Sequence, residues 1–497
     1  MALTLLVTVL GGVGILPRWP GLVQEVGLPP LDLFADIRVL MTRSPSYPVF
    51  AGGLAAAVLV RSAVLAALVG DGSRASFIEA IQFYGAALIP GLLAAGFEFS
   101  GIAALYHWYF WTGLGLTVAA TLVMARGPWA RPARPGERGP SRLAGVFSVA
   151  AYLIAVTGLG ALAHAWGRVA SVALVIPSAW LTWRTERRLR EGPAGVGRRA
   201  VAAAAAIALI GVLVAAAVRL PGGGPAPEHR RGSLFLVPGV DSATGLGPMF
   251  HLDPSTLGYD CKQTTYFSYA GPGKGVRHGG AACPVRSGKR YSRRDTQRPL
   301  AALISTFRAQ LAALPPPVVV VTHSQGAWIA WAGLAGRETR GVRDLIMLGP
   351  FPRAPVEYPA SGRAGPGRVG GDFLRALSGA GRKLGISTYD PDAPLARRLL
   401  ATPGAIARIL SRPLAGNVRA LAIEPLWDLS LMPEGRDLPR AVNACPVRTT
   451  HVGLVGSGAA AGLADRFLEG RPLPACPFGA AWLSAVTAPF GVPPSNT

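Results

Sequence analysis

From Pro315 to Gly336 the chain reads PPPVVVVTHSQGAWIAWAGLAG, which places a serine where an apolar strand gives way to an apolar helix. Val318 to Thr322 reads as a buried strand and Gly326 to Leu334 as a helix, with His323-Ser324-Gln325 between them. So sharp a turn strains the intervening residue and needs small neighbours. The serine hydroxyl then stands above the sheet, beside the positive end of the helix. That setting suits a nucleophile in acyl transfer. The pattern is G-x-S-x-G, with Thr322 in place of the first glycine and Gly326 kept.

A serine hydroxyl needs a base, and the base needs an orienting group. Of the seven histidines, His107 and His164 fall in the apolar first half and His229 in a linker. His251 and His278 lie in loops ahead of the serine, and His323 sits in the turn itself, its ring expected to point away. His451 follows a short strand late in the chain, where the base belongs when the order is serine, acid, histidine. Glu424, Asp428, Glu434 and Asp437 lie between the strand at 418–423 and His451. Asp428, on the turn just past the strand, is preferred as the acid, with Glu424 next. The developing oxyanion needs preorganised donors. The main-chain N–H of Gln325 is one, and the N–H of Val240 in LVPGVDSATGLG is the other, with Gly239 allowing close approach.

Residues 233–470 resemble the α/β-hydrolase superfamily, particularly its lipases and esterases, in Pro238-Gly239, His323-Ser324-Gln325-Gly326, Asp428 and His451. The resemblance implies a triad of Ser324, Asp428 and His451. Thr322 and the lack of a His-Gly pair before the oxyanion loop depart from the pattern. No cofactor is expected, and no metal, since C-x-x-C and H-x-x-x-H are missing from the sequence.

Positioning such groups takes an alternation of strands and helices. Strands are expected at 233–240, 266–269, 318–322, 342–348, 418–423 and 445–449, and helices at 296–314, 326–334 and 463–468. This alternation implies a mostly parallel sheet with helices on both faces. An insertion at about 352–417, rich in Gly, Arg and Pro and helical near 396–410, is expected to cap the site.

The chain has 497 residues, half of them hydrophobic. Up to about residue 220 the apolar residues form long runs, at 48–70, 76–97, 101–124, 143–165, 168–183 and 200–219, with 2–16 as a further candidate. A bilayer is crossed by roughly 20 apolar residues. The expected fold class is therefore a multi-span α-helical membrane domain of six or seven helices (1–220), a linker (221–232) and an α/β-hydrolase domain (233–497). Arg61, Glu79, Gln82 and His107, within the apolar runs, are given a structural role, with a substrate or lipid pathway as the alternative.

The net charge is +23, almost all from arginine. The arginines are scattered or sit in loops beside apolar runs, without a nucleic-acid-binding motif, so the expected partner is the lipid bilayer and not nucleic acid. Arginine-rich loops at 126–142 and 184–199 belong on the cytoplasmic side by the positive-inside rule. The run at 200–219 then leads outward. All four cysteines lie in the second half, and the pairs Cys261–Cys283 and Cys445–Cys476, each closing a short loop, fit an oxidising compartment. The expectation is a multi-pass plasma-membrane protein whose extracytoplasmic serine hydrolase cleaves lipid or other hydrophobic esters. The alternatives are an acyltransferase of envelope lipids with the same triad, or a transporter or scaffold carrying a non-catalytic module.

Overall fold

The computed structural model describes residues 31–69, 73–103, isolated positions between 155 and 184, and 228–476 apart from 276–279, 337–340, 353–355, 403, 417 and 427–436. The apolar run at 2–16, most of 101–124, and the runs at 143–165, 168–183 and 200–219 lie outside the described residues, save for those isolated positions. So do the arginine-rich loops apart from Arg184, and His107, His278, Asp428 and Glu434.

The second half holds β1 (Ser233–Val237), β2 (Thr264–Tyr266), α4 (Leu300–Leu311), β3 (Val318–His323), α5 (Gly326–Leu334), β4 (Val342–Leu348), α6 (Arg368–Lys383), α7 (Pro394–Leu399), α8 (Ala405–Leu410), β5 (Arg419–Ile423), β6 (Val442–Asn443) and α9 (Gly458–Leu468). The strands form one sheet in the order β2-β1-β3-β4-β5-β6, parallel throughout. β1 and β3 are buried at every residue, as strands covered on both faces must be, and this is why they read as unbroken apolar runs.

The strand order reverses once. From β1 the chain moves to β2 on one side, then crosses back to β3 on the other. Loops leaving two strands at such a reversal diverge and open a crevice at their carboxyl ends. Here those ends are Pro238-Gly239 after β1 and Ser324 after β3, held side by side by the Val237–Thr322 pairing. Helix α5 is buried at every position. The indole N–H of Trp328 donates to Phe351 O at 2.8 Å and that of Trp331 to Arg412 O at 3.0 Å, so neither buried donor is wasted.

Several elements depart from the sequence reading. β2 comes earlier than 266–269. The last strand is Val442–Asn443 rather than 445–449, because Pro446 has no N–H to give a ladder. The helix expected near 396–410 divides into α7 and α8 ahead of and behind Gly404, whose φ is +63°. Both expected disulfides are formed, with Cα–Cα separations of 5.3 Å for Cys261–Cys283 and 5.1 Å for Cys445–Cys476.

Apart from the isolated positions between 155 and 184, the described part of the first half is three helices, α1 (Leu31–Arg43), α2 (Tyr47–Val69) and α3 (Arg74–Ala103). Among the described residues, two helices, α2 and α3, are long and apolar enough to cross a membrane, so a multi-span bundle is not what these residues display. The 23 residues of α2 extend roughly 35 Å. α1 was not anticipated. It joins the others through two ion pairs, Arg38–Glu98 at 3.0 Å and a two-pronged Arg61–Asp36 contact at 3.0 and 3.1 Å. Arg61 is thus the structural charge its place in an apolar run suggested. α3 continues through Ala103 instead of breaking near residue 98.

The reason for that continuation is α6, a helix of the insertion hidden in the sequence by its four glycines. The last turns of α3 pack on it through exchanged aromatic–glycine contacts. A Cβ on Gly370 would lie 2.6 Å from the ring of Phe99, and one on Gly96 would lie 2.8 Å from the ring of Phe373. Glycines allow two helices this close. The Tyr47 hydroxyl donates to Asp372 at 2.8 Å, and the Gly365 N–H donates to Pro45 O at 2.9 Å. Phe99, Ile102 and Ala103 join the core that contains the sheet. The insertion therefore bridges the two halves.

Replacing a mid-helix glycine by alanine ordinarily stabilises by roughly 0.5–1 kcal/mol. For Gly96→Ala and Gly370→Ala the opposite sign is expected, a loss of about 1–3 kcal/mol from overpacking against buried rings. It is read as a lowered unfolding midpoint of the detergent-solubilised chain.

Candidate active site

Among the described residues, two that are not glycine have positive φ, Ser324 at +56° and Asp241 at +59°. They follow the carboxyl ends of two neighbouring strands, β3 and β1. Strain of this kind persists only where surroundings over-determine it. The Ser324 N–H donates to Leu348 O at the end of β4, 2.9 Å away, and its carbonyl accepts from Ala327 N–H at 3.0 Å. Gly326 is required by proximity, since a Cβ there would meet Val237 O at 2.8 Å and Pro238 O at 2.9 Å. Thr322, at the position of the first glycine in the elbow pattern, is fully buried and its hydroxyl donates to Ile346 O at 3.4 Å.

The loop after β1 is pressed against the serine. A Cβ on Gly239 would lie 3.0 Å from Ser324 Cβ and 3.2 Å from His323 Nδ1. The loop's carbonyls are turned to other donors. Pro238 O accepts from the Tyr269 hydroxyl at 2.6 Å and Gly239 O from the Ser242 hydroxyl at 2.8 Å. Burial pushes the Tyr269 and Tyr291 hydroxyls well above the ordinary phenol value, so both stay protonated. The Gln325 side chain donates to Thr296 O at 2.7 Å, fixing the residue after the serine. The main-chain N–H groups of Val240 and Gln325, the two donors named from sequence, have no hydrogen-bond acceptor among the described residues.

His451 lies at the same rim. Its ring stacks on Phe351 (5.0 Å between centroids, 18° between planes) and leans on His323 (4.7 Å, 41°). Gly349, at the end of β4, makes room for it, because a Cβ there would come within 2.7 Å of His451 Cε1. His323 does not point away, as the sequence reading had it. Its Nε2 is 3.0 Å from His451 O, and a carbonyl can only accept, so Nε2 carries the proton. Its Nδ1 is buried without a hydrogen-bond partner. Burial, then the neighbouring His451, lowers its pKa to about 3, against the opposing pull of the bond to His451 O. His323 is therefore neutral at working pH and braces the loop that carries His451. His229 and His251 are exposed.

The preferred acid, Asp428, lies outside the described residues. Glu424, the runner-up, follows β5 directly and is buried. Its carbonyl accepts from Val447 N–H at 2.8 Å, and Leu426 N–H donates to Val447 O at 2.7 Å. This pairing carries the chain leading to His451 along the end of β5, beside the residues that precede Asp428. Asp437 is exposed. No metal-binding set of three His, Cys, Asp or Glu residues forms among the described residues. Compared with known protein families, curated proteins and solved structures, the chain matches none.

Left-handed backbone costs a side-chain-bearing residue about 1–2 kcal/mol. Ser324→Gly should therefore unfold later than Ser324→Ala by about 1 kcal/mol, although both lack the hydroxyl; equal stabilities would mean the strain is not there. The low pKa of His323 carries a pH signature. Its folded value of about 3 lies below the reference 6.5, so the unfolded chain binds a proton that the folded chain refuses. Stability is complete above about pH 6.5 and falls as the pH drops toward 3. His323→Gln should flatten this slope in acid-titrated thermal unfolding.

Proposed function

We propose that the second half of the chain is a serine ester hydrolase of the α/β-hydrolase type, anchored in a membrane by the first half and facing away from the cytoplasm. The observation that carries this reading is the strained Ser324 at the reversal point of a parallel sheet, with two main-chain N–H groups left for an oxyanion. Ser324 Oγ attacks the ester carbonyl carbon while His451 takes the hydroxyl proton. Asp428 orients the imidazole. The N–H groups of Gln325 and Val240 stabilise the charge on the carbonyl oxygen as the tetrahedral intermediate forms. Collapse expels the alcohol, which takes the proton from His451, and leaves an acyl-serine. Water, deprotonated by His451, attacks the acyl carbon and releases the acid.

Sidedness draws support from several features. The two disulfides suit an oxidising compartment. The charge of the arginine-rich loops, counted back through the intervening run, puts the end of α3 on the same side as the second half. The insertion packs on α3 at that end, through Gly96, Phe99 and Ala103. The insertion also lies against the loop after β1, where the Thr388 hydroxyl meets Asp241, as a cap over the crevice would. An apolar ester is the substrate class that suits an enzyme held at a bilayer.

A fluorophosphonate probe applied to intact cells tests chemistry and side together. An adduct lost in Ser324→Ala is expected. An adduct that survives the substitution, or none on the solubilised wild type, sinks the hydrolase reading; one seen only after permeabilisation reverses the sidedness.

A further inference from the structure

The strain at Asp241 is not explained by the triad chemistry. Asp241 follows Val240, the second oxyanion donor, and its backbone is left-handed at +59°. Its N–H donates to the Thr296 hydroxyl at 3.2 Å, and Thr296 O is the acceptor of the Gln325 side chain. Both sides of the oxyanion site are thus referenced to one residue. The carboxylate of Asp241 faces the insertion. Oδ1 accepts from the Thr388 hydroxyl at 2.6 Å, and Arg293 lies 3.9 Å from Oδ2. Gln297, next to Thr296, grips the same insertion segment with both ends of its amide. Its Nε2 donates to Thr388 O at 3.0 Å and its Oε1 accepts from Asp390 N–H at 2.7 Å. Between those two residues, the buried Tyr389 donates its hydroxyl to Ala103 O, in the last turn of α3, at 3.3 Å.

Resting on the hydrolase reading, we propose that Asp241 is a positioning residue which aims the Val240 N–H, and that it is held in place by Thr388. The oxyanion site is then complete only while residues 387–390 are docked. Tyr389 ties that docked segment to the end of the apolar hairpin. The chain of contacts runs from the last turn of α3, through residues 389 and 388, to Asp241 and Val240. Docking governs turnover rather than substrate affinity, because the donor it aims serves the transition state.

The test uses the full chain in detergent or nanodiscs, a p-nitrophenyl ester and the fluorophosphonate probe. Thr388→Val, of nearly the same shape, should lower kcat about tenfold with KM changed less than about twofold. Asp241→Ala should lose at least as much. Asp241→Asn, which tolerates positive φ and still accepts from Thr388, should restore most of it. The Asp241→Ala/Thr388→Val chain should be no slower than Asp241→Ala alone, since both remove one contact. Hydrogen exchange of the 239–241 amides should quicken in Thr388→Val, and that of the 387–390 amides in Tyr389→Phe.

Unchanged kcat in Thr388→Val, a change confined to KM, or additive losses in the double variant overturn the proposal while leaving the hydrolase reading intact. A wild-type Ser324 that takes no probe overturns both. If Thr388→Val fails to fold, the contrast between Asp241→Ala and Asp241→Asn decides.

Discussion

A serine held at φ +56° between a strand and a helix is an expense that the rest of the second half is arranged to sustain. Left alone, the residue would relax into an ordinary region of backbone space and its hydroxyl would leave the crevice. Three constraints prevent this. β3 is fixed by strands on both sides, so its end cannot move. The serine N–H is committed to Leu348 O on the neighbouring strand. Helix α5 starts at a glycine that almost touches two carbonyls at the end of β1, so the turn cannot open without parting β1 from β3. The strand reversal is what places a free loop opposite the serine. Had β1 and β3 not been neighbours, no loop would stand within reach to present the Val240 N–H.

Two imidazoles share this rim, and their surroundings separate their roles. His323 is enclosed, gives its Nε2 proton to a carbonyl and has its pKa driven down to about 3. Its ring is a prop of fixed charge. His451 lies at the start of a short 3-10 turn, with one face on Phe351 and space made by Gly349. If His323 could charge near neutrality, it would compete for the proton that the proposed mechanism assigns to His451. Burying it neutral, and using it to grip the main chain of His451, removes the competition and supplies rigidity.

The parts legible in the sequence were those with a local physical cause. Val318 to Val321 must be a buried strand because four β-branched residues in a row suit little else, and the crowded turn after it selects Gly326. Cys261–Cys283 and Cys445–Cys476 follow from short loops. What is not legible there has causes far along the chain. Helix α6 carries four glycines that argue against a helix locally and make sense only once Phe99 is seen lying on Gly370. The orientation of His323 depends on a carbonyl 128 residues away. Nothing around Asp241 marks it as strained, and the hydroxyl that its carboxylate meets belongs to Thr388, 147 residues on. The proposed acid rests on position in the sequence, because Asp428 falls outside the described residues.

The insertion is where these long-range causes meet. One surface of it carries the glycines and Phe373 that fit the last turns of α3, and another carries Thr388 and Asp390, which fit the loops around Ser324. A cap that only covered a crevice would need the second surface alone. A spacer that only joined two halves would need the first. Having both on one stretch of chain means that shifting the insertion relative to α3 also disturbs Thr388 and Asp241. On the proposed reading, an ester drawn from a bilayer would reach Ser324 past an element whose footing is the membrane hairpin itself. That places substrate arrival and oxyanion geometry under one mechanical constraint, and it accounts for a buried Tyr389 whose hydroxyl reaches the main chain of the last described turn of α3.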